Sequence, residues 1–156
     1  MRRTASRTLA VVIGLGAALA LAGCAGLVER EPSPTPQDFG GIVSAFGAAG
    51  IVVRNPQSAD AGCSDPNLIP TAIGFDATGL GVTTPIHLRV YIFGSRDSFD
   101  RRLSDVDACV ATWATDPATF ETVESSPYVL AGQGPWPAAF KAAIRAGLLA
   151  AAGNGG

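Results

Sequence analysis

Residues 85–93 read Pro85-Ile86-His87-Leu88-Arg89-Val90-Tyr91-Ile92-Phe93. Ile86, Leu88, Val90 and Ile92 take every second position, and His87, Arg89, Tyr91 and Phe93 fill the gaps. Successive side chains of a strand point to opposite faces, so this period of two predicts a β-strand. The aliphatic row is expected to face a core. The second row brings the chain's one histidine together with an arginine and a tyrosine. It is expected to be the solvated side of the sheet, and His87, Arg89 and Tyr91 are the candidate binding face.

The neighbours of this strand change period. After Gly94-Ser95-Arg96, the residues Phe99, Leu103, Val106, Val110 and Trp113 recur at spacings of four and three, which predicts a helix over 97–113. Asp97 with Arg101 and Arg101 with Asp105 are spaced to pair along its exposed side. Upstream, Ala77 to Thr84 reads as a hairpin connection carrying Gly79 and Gly81. Leu68 to Asp76 reads as a strand in which Pro70 suggests an edge or a bulge. Asn55 to Asn67 reads as a loop that contains Cys63, and Ile51-Val52-Val53 as a short β-branched strand. Phe39, Ile42, Phe46 and Ala49 lie on one face of a first helix, started by Thr35-Pro36 and stopped by Gly50. Downstream, Thr119 to Glu124 is expected to be a strand that Ser125 to Leu130 continues after a break at Pro127. Gly132 to Pro135 reads as a turn. Trp136, Phe140, Ile144 and Leu148 mark a last helix. The predicted fold is α+β: about four strands in a mostly antiparallel sheet, helices packed on one face, and one disulfide.

The N-terminus has another character. Arg2, Arg3 and Arg7 precede an apolar run from Leu9 to Ala22, which is shorter than the roughly 20 residues of a spanning helix. The run ends in Leu21-Ala22-Gly23-Cys24. This stretch resembles the lipobox of bacterial lipoproteins. The resemblance implies a signal peptide over 1–23 and a Cys24 thiol that carries diacylglycerol. It also implies a mature protein held on the extracytoplasmic face of the cell membrane. Arginine outnumbers lysine (Lys141 alone) and alanine and glycine abound, the bias of a high-GC genome such as an actinobacterial one. Past the leader, the chain resembles small actinobacterial lipoproteins and nothing narrower. Residues 24–36, with Pro32, Pro34 and Pro36, read as an extended tether of roughly 35 Å. Residues 37–156 are expected to form a single domain.

Cleavage before Cys24 removes three of eleven cations and none of thirteen acids, leaving a formal charge of −5. That balance disfavours nucleic acid, which recruits a basic face. With Cys24 taken by lipid, Cys63 and Cys109 remain as an even pair in an oxidising compartment, and a bond between them is expected. Closing 46 residues of chain contributes roughly 4 kcal/mol by the loop-entropy argument. Two cysteines and one histidine are too few for the usual zinc set, and no metal or cofactor is expected.

The chemistry-bearing residues fall into four groups. His87 has the chemistry of a general base and Arg89 that of an anion holder, against the plainer reading of a solvated sheet face. Ser64-Asp65 lacks the Gly-x-Ser-x-Gly context of a hydrolase nucleophile and reads as turn chemistry. Asp97, Asp100, Asp105 and Asp107 read as a solvated helix face, without the spacing of a calcium loop. The glycine-rich stretch before Trp136 lacks phosphate-loop spacing. No catalytic residue is assigned. The expected function is that of a lipid-anchored, non-catalytic binding domain whose partner is an envelope protein or a wall component. The alternative is a small envelope hydrolase that uses His87.

Overall fold

The computed structural model describes residues 38–153. The lipobox with Cys24, the tether and the Thr35-Pro36 helix start lie outside the described residues. Helix α1 spans Asp38–Ala48 and strand β1 spans Val52–Ser58. A short 3-10 turn, Ile69–Thr71, leads into β2, Ala72–Gly79, and β3 covers Val82–Ile92. Then come α2 (Arg96–Trp113), β4 (Phe120–Ser125), β5 (Tyr128–Gln133) and α3 (Ala138–Gly153). The five strands form one antiparallel sheet in the order β1-β2-β3-β5-β4.

The fold is α+β with one disulfide, and its strand count is five where about four were expected. The difference lies at Pro127. The Ser126–Pro127 peptide is cis and sits in a two-residue turn, so Ser125 pairs with Tyr128 and the chain doubles back. A continuing strand could not hold a proline between two ladders, whereas a tight turn accommodates one. The connection expected over 77–84 is likewise mostly strand. Leu80 (φ 49°) and Gly81 (φ 95°) make a turn with two positive φ angles, the geometry that matches the twist of paired strands. Gly79 lies against the Gly50 carbonyl, where any Cβ would overlap that oxygen. Pro70 sits in the first turn of the 3-10 segment, where its missing N–H costs nothing, and β2 begins only after it.

The expected one-sided packing of helices is corrected too. Ile42 and Phe46 of α1 pack with Phe140, Ile144 and Leu148 of α3 on the sheet face that carries Phe75, Leu88, Val90 and Leu130. Gly147 lets Phe46 reach the α3 backbone, since a Cβ there would overlap the ring. Phe99, Val106 and Cys109 of α2 instead cover Ala72, Tyr91, Phe93 and Val129, which point to the opposite face. The reason lies in the second row of β3. Its first half, His87 and Arg89, is polar, but its second half, Tyr91 and Phe93, is fully buried or nearly so. The apolar stripe of α2 closes over that half. The Ser95 hydroxyl caps the helix by accepting from the Ser98 N–H at 3.2 Å. The helix pairs Arg102 with Asp105 at 2.8 Å, while Arg101 donates to Ser98 Oγ at 3.3 Å. The expected Asp97–Arg101 and Arg101–Asp105 pairs are not the ones made.

Candidate functional site

The polar half of the second face lies beside the end of α2. Asp76 of β2 stands directly across the ladder from His87 of β3, and its Oδ1 is 3.1 Å from His87 Nδ1. The other ring nitrogen, Nε2, is 2.9 Å from Asp60 Oδ2 in the segment after β1. Asp60 also accepts from Arg89 Nε at 3.0 Å through its second oxygen. Asp76 accepts from the Asn55 side-chain amide at 2.9 Å. Both ring nitrogens of His87 therefore face carboxylates, and only the doubly protonated ring donates to both.

Local backbone chemistry makes room for this cluster. A Cβ at Gly74 would overlap the Asp60 carboxylate. Gly62 (φ 77°) lies against Trp113 and Arg89, where a side chain would collide with both. The Arg89 guanidinium stacks on the Trp113 indole, 4.4 Å from the ring centre. Trp113 in turn meets Phe120 edge-on at 5.0 Å. A stacked, largely desolvated guanidinium contributes more than an exposed one. The Trp113 indole N–H is buried and makes no hydrogen bond of normal geometry.

Electrostatics follow from these contacts. Burial alone would raise the Asp60 carboxyl, but the hydrogen bonds and charges of His87 and Arg89 outweigh it and hold the group below its ordinary value. The Asn55 and His87 hydrogen bonds hold Asp76 low as well. Tyr91 behaves in the opposite way. It is fully buried, and desolvation pushes its phenol up to about 12; the nearby Trp113 N–H and the Arg89 charge offset this only in part. Its hydroxyl donates to the Ala61 carbonyl at 2.7 Å.

The Cys63–Cys109 disulfide is formed, with the Cα atoms 5.5 Å apart. It ties the segment after β1 to the buried side of α2. Cys109 Sγ lies 3.2 Å from the Ala61 carbonyl; a disulfide sulfur carries no proton, so this is a packing contact. The segment that follows β1 is thus held by a disulfide, by Tyr91 and by the Asp60 cluster. On the other side, the α2–β4 loop is fixed by Gln133. Its Oε1 accepts from the Thr115 and Asp116 N–H groups, both at 3.1 Å, and its Nε2 donates to Thr119 Oγ1 at 2.7 Å.

Of the candidate residues, His87 and Arg89 meet in one cluster. Tyr91 is separated from them in role: it is a buried anchor and not part of a solvated face. Asp65 Oδ1 accepts from the Asn67 N–H at 2.7 Å, which is a local turn. Trp136 packs inward and donates to the Gln133 carbonyl at 3.1 Å. Asp60, Asp76, Asn55 and Trp113 complete the site and were not among the candidate site residues. One signal for Asp76 exists, since it shares a strand face with Gly74 and Ala72. Its partner is concealed, however, because a register shift between Ala77 and Gly79 moves β2 along β3. Counted from the Gly79–Val82 pair alone, Asp76 would stand opposite Pro85.

Among the described residues, no group of three or more His, Cys, Asp or Glu side chains could hold a metal ion. Asp60, His87 and Asp76 are three neighbours, but they engage opposite ring nitrogens and do not converge on one point. No family model, curated protein or solved structure matches the chain.

Proposed function

We propose that this chain is a lipid-anchored extracytoplasmic protein whose folded part is a non-catalytic binding module. The lipobox-like stretch Leu21-Ala22-Gly23-Cys24 supports the anchor. Among the described residues, no helix is long and apolar enough to cross a membrane. The observation that carries the binding reading is the pinned segment after β1. Ala59, Ser64, Pro66 and Asn67 are exposed and continue the exposed end of β1, Arg54 to Ser58, yet Asp60, Ala61 and Cys63 between them are fastened to the sheet and to α2. An exposed polar loop held rigidly on a scaffold loses little entropy when a partner docks. The partner is an envelope protein or a wall component.

The hydrolase alternative draws no comparable support. A general base needs a nitrogen that can reach a substrate proton, and in the observed bracket both nitrogens of His87 face carboxylates at 3.1 and 2.9 Å, with no nucleophile beside them among the described residues.

Two variants test the reading. Cys24→Ala is expected to release the protein from the membrane fraction; retention would defeat the anchor. Gln57→Arg with Asn67→Arg, both exposed, is expected to abolish capture of the envelope partner that the wild type retains, with the circular dichroism unchanged. Equal capture by both proteins would defeat the binding surface.

A further inference from the structure

The His87 bracket brings two carboxylates, an imidazole and a guanidinium within hydrogen-bond reach, at a partly exposed position. We propose that it is a proton-operated device: loss of the ring proton frees Asp76 Oδ1 to accept a cationic donor from a partner. The last step rests on the binding-module reading, whereas the internal rearrangement does not.

With the ring protonated, Asp60, Asp76, His87 and Arg89 form a neutral set in which each carboxylate oxygen named above has a donor. A neutral imidazole donates through one nitrogen and accepts through the other. One of the two carboxylates must then face a lone pair. Asp60 is the more enclosed, with its side chain 21% exposed against 31% for Asp76, and it makes the shorter contact. Leaving the more enclosed acceptor unsatisfied costs more, so the remaining proton stays on Nε2. Nδ1 then faces Asp76 Oδ1 at 3.1 Å with no proton between them. Asp76 keeps its Asn55 bond through Oδ2 and turns Oδ1 toward solvent.

The groups around the ring come from every element packed against it. Asp60 comes from the segment after β1, Asp76 from β2 and Arg89 from β3 itself. β1 supplies Asn55 and, across the ladder from Asp76, Arg54. β5 supplies Gly132, paired with Leu88 next to His87, and the end of α2 supplies Trp113, stacked on Arg89; both are uncharged. Asp116, beyond Gln133, is engaged in its own loop. Net charge on the four-residue set falls from zero to −1 as the ring loses its proton. His87 is the only imidazole in the chain.

The test is NMR on the full isotope-labelled chain in detergent micelles, titrated from about pH 5 to 8.5. The Asp76 carboxyl carbon and the Asn55 side-chain amide are expected to move with the same midpoint as the His87 ring, with Nδ1 becoming the bare nitrogen. Silence at Asp76 and Asn55 while the ring titrates overturns the proposal, as does a bare Nε2 with movement at Asp60. His87→Gln is expected to flatten the response. Asp76→Asn keeps the ring titration and gives a second handle should the first variant fail to fold. Capped lysine (N-acetyl-lysine methylamide) serves as the cationic probe, expected to shift Asp76 about tenfold more effectively at the upper pH than at the lower. Equal effect at both ends overturns the release step. Absence of partner capture by the wild type, with the ring–Asp76 coupling intact, would count against the binding reading alone.

Discussion

The two faces of the sheet are stabilised by different physics. On the α1/α3 side, Ile42, Phe46, Phe75, Leu88, Leu130, Phe140, Ile144 and Leu148 are fully buried, and the face is held by apolar area. On the α2 side, an 18-residue helix has only Phe99, Val106 and Cys109 buried. There a disulfide, a buried phenol on a backbone carbonyl and an acid–imidazole–guanidinium cluster do the holding. A helix with so narrow a buried stripe gains too little from burial alone, and directional contacts make up the difference. Those same contacts hold an exposed segment in place. The face that buries less apolar area is therefore the one to which the proposed binding reading assigns the partner.

The comparison can be broken from either side. The largest effect is expected from Phe46→Ala on the apolar face, which removes a fully buried ring packed on Gly147 and Phe75. Urea denaturation should register a loss of about 3–5 kcal/mol. The double variant Cys63→Ala/Cys109→Ala should lose somewhat less, about 2–4 kcal/mol. Its amides in α2 and the segment after β1 should exchange first. A uniform loss of protection over both faces would show that the faces are not separately stabilised.

Tyr91 gives an intermediate effect with a pH signature. Its folded pKa of about 12 lies above its ordinary value of 10.0. The stability it contributes is complete below pH 10 and is lost as the pH rises through 12, a loss of about 2–3 kcal/mol. Tyr91→Phe should remove this alkaline dependence. It should also cost about 1–3 kcal/mol at neutral pH, because the Ala61 carbonyl loses its donor. An alkaline limb of unchanged depth in the variant would refute the assignment to Tyr91.

The smallest effect belongs to the acid limb. Asp60 and Asp76 are held below their ordinary value of 3.8, so their contribution is present above that pH and lost as the pH falls through their folded values. Asp60→Asn should flatten the stability curve below pH 4 while leaving the apolar face intact by hydrogen exchange. An unchanged acid limb would remove the cluster from the list of staples.

Part of this was legible from residues alone. The alternation of 85–93 marked β3, and the spacing of Phe99, Val106 and Trp113 marked α2. His87 and Arg89 were legible as neighbours on one face because a strand's period fixes which side chains share a side. The disulfide was legible by counting, once Cys24 was set apart. The turn at Pro127 was not legible, because a tight turn and an interruption within one strand leave the same residue pattern. Asp60 and Trp113 gave no signal toward His87 and Arg89. They are separated from them by more than twenty residues, and nothing periodic links a loop carboxylate to a helix end.

Periodicity is a property of neighbouring residues, so the sequence by itself determined the element types, the two rows of β3 and the cysteine pair. Only the tertiary structure decided that the second row is half core and half polar cluster. It also decided that α2 lies opposite α1 and α3, and that Asp76 and Asp60 grip the same ring. Those outcomes depend on a register shift near Gly79 and on where a 46-residue loop closes. Both are set by which apolar surfaces can be buried together, a balance over the whole chain that no single stretch records.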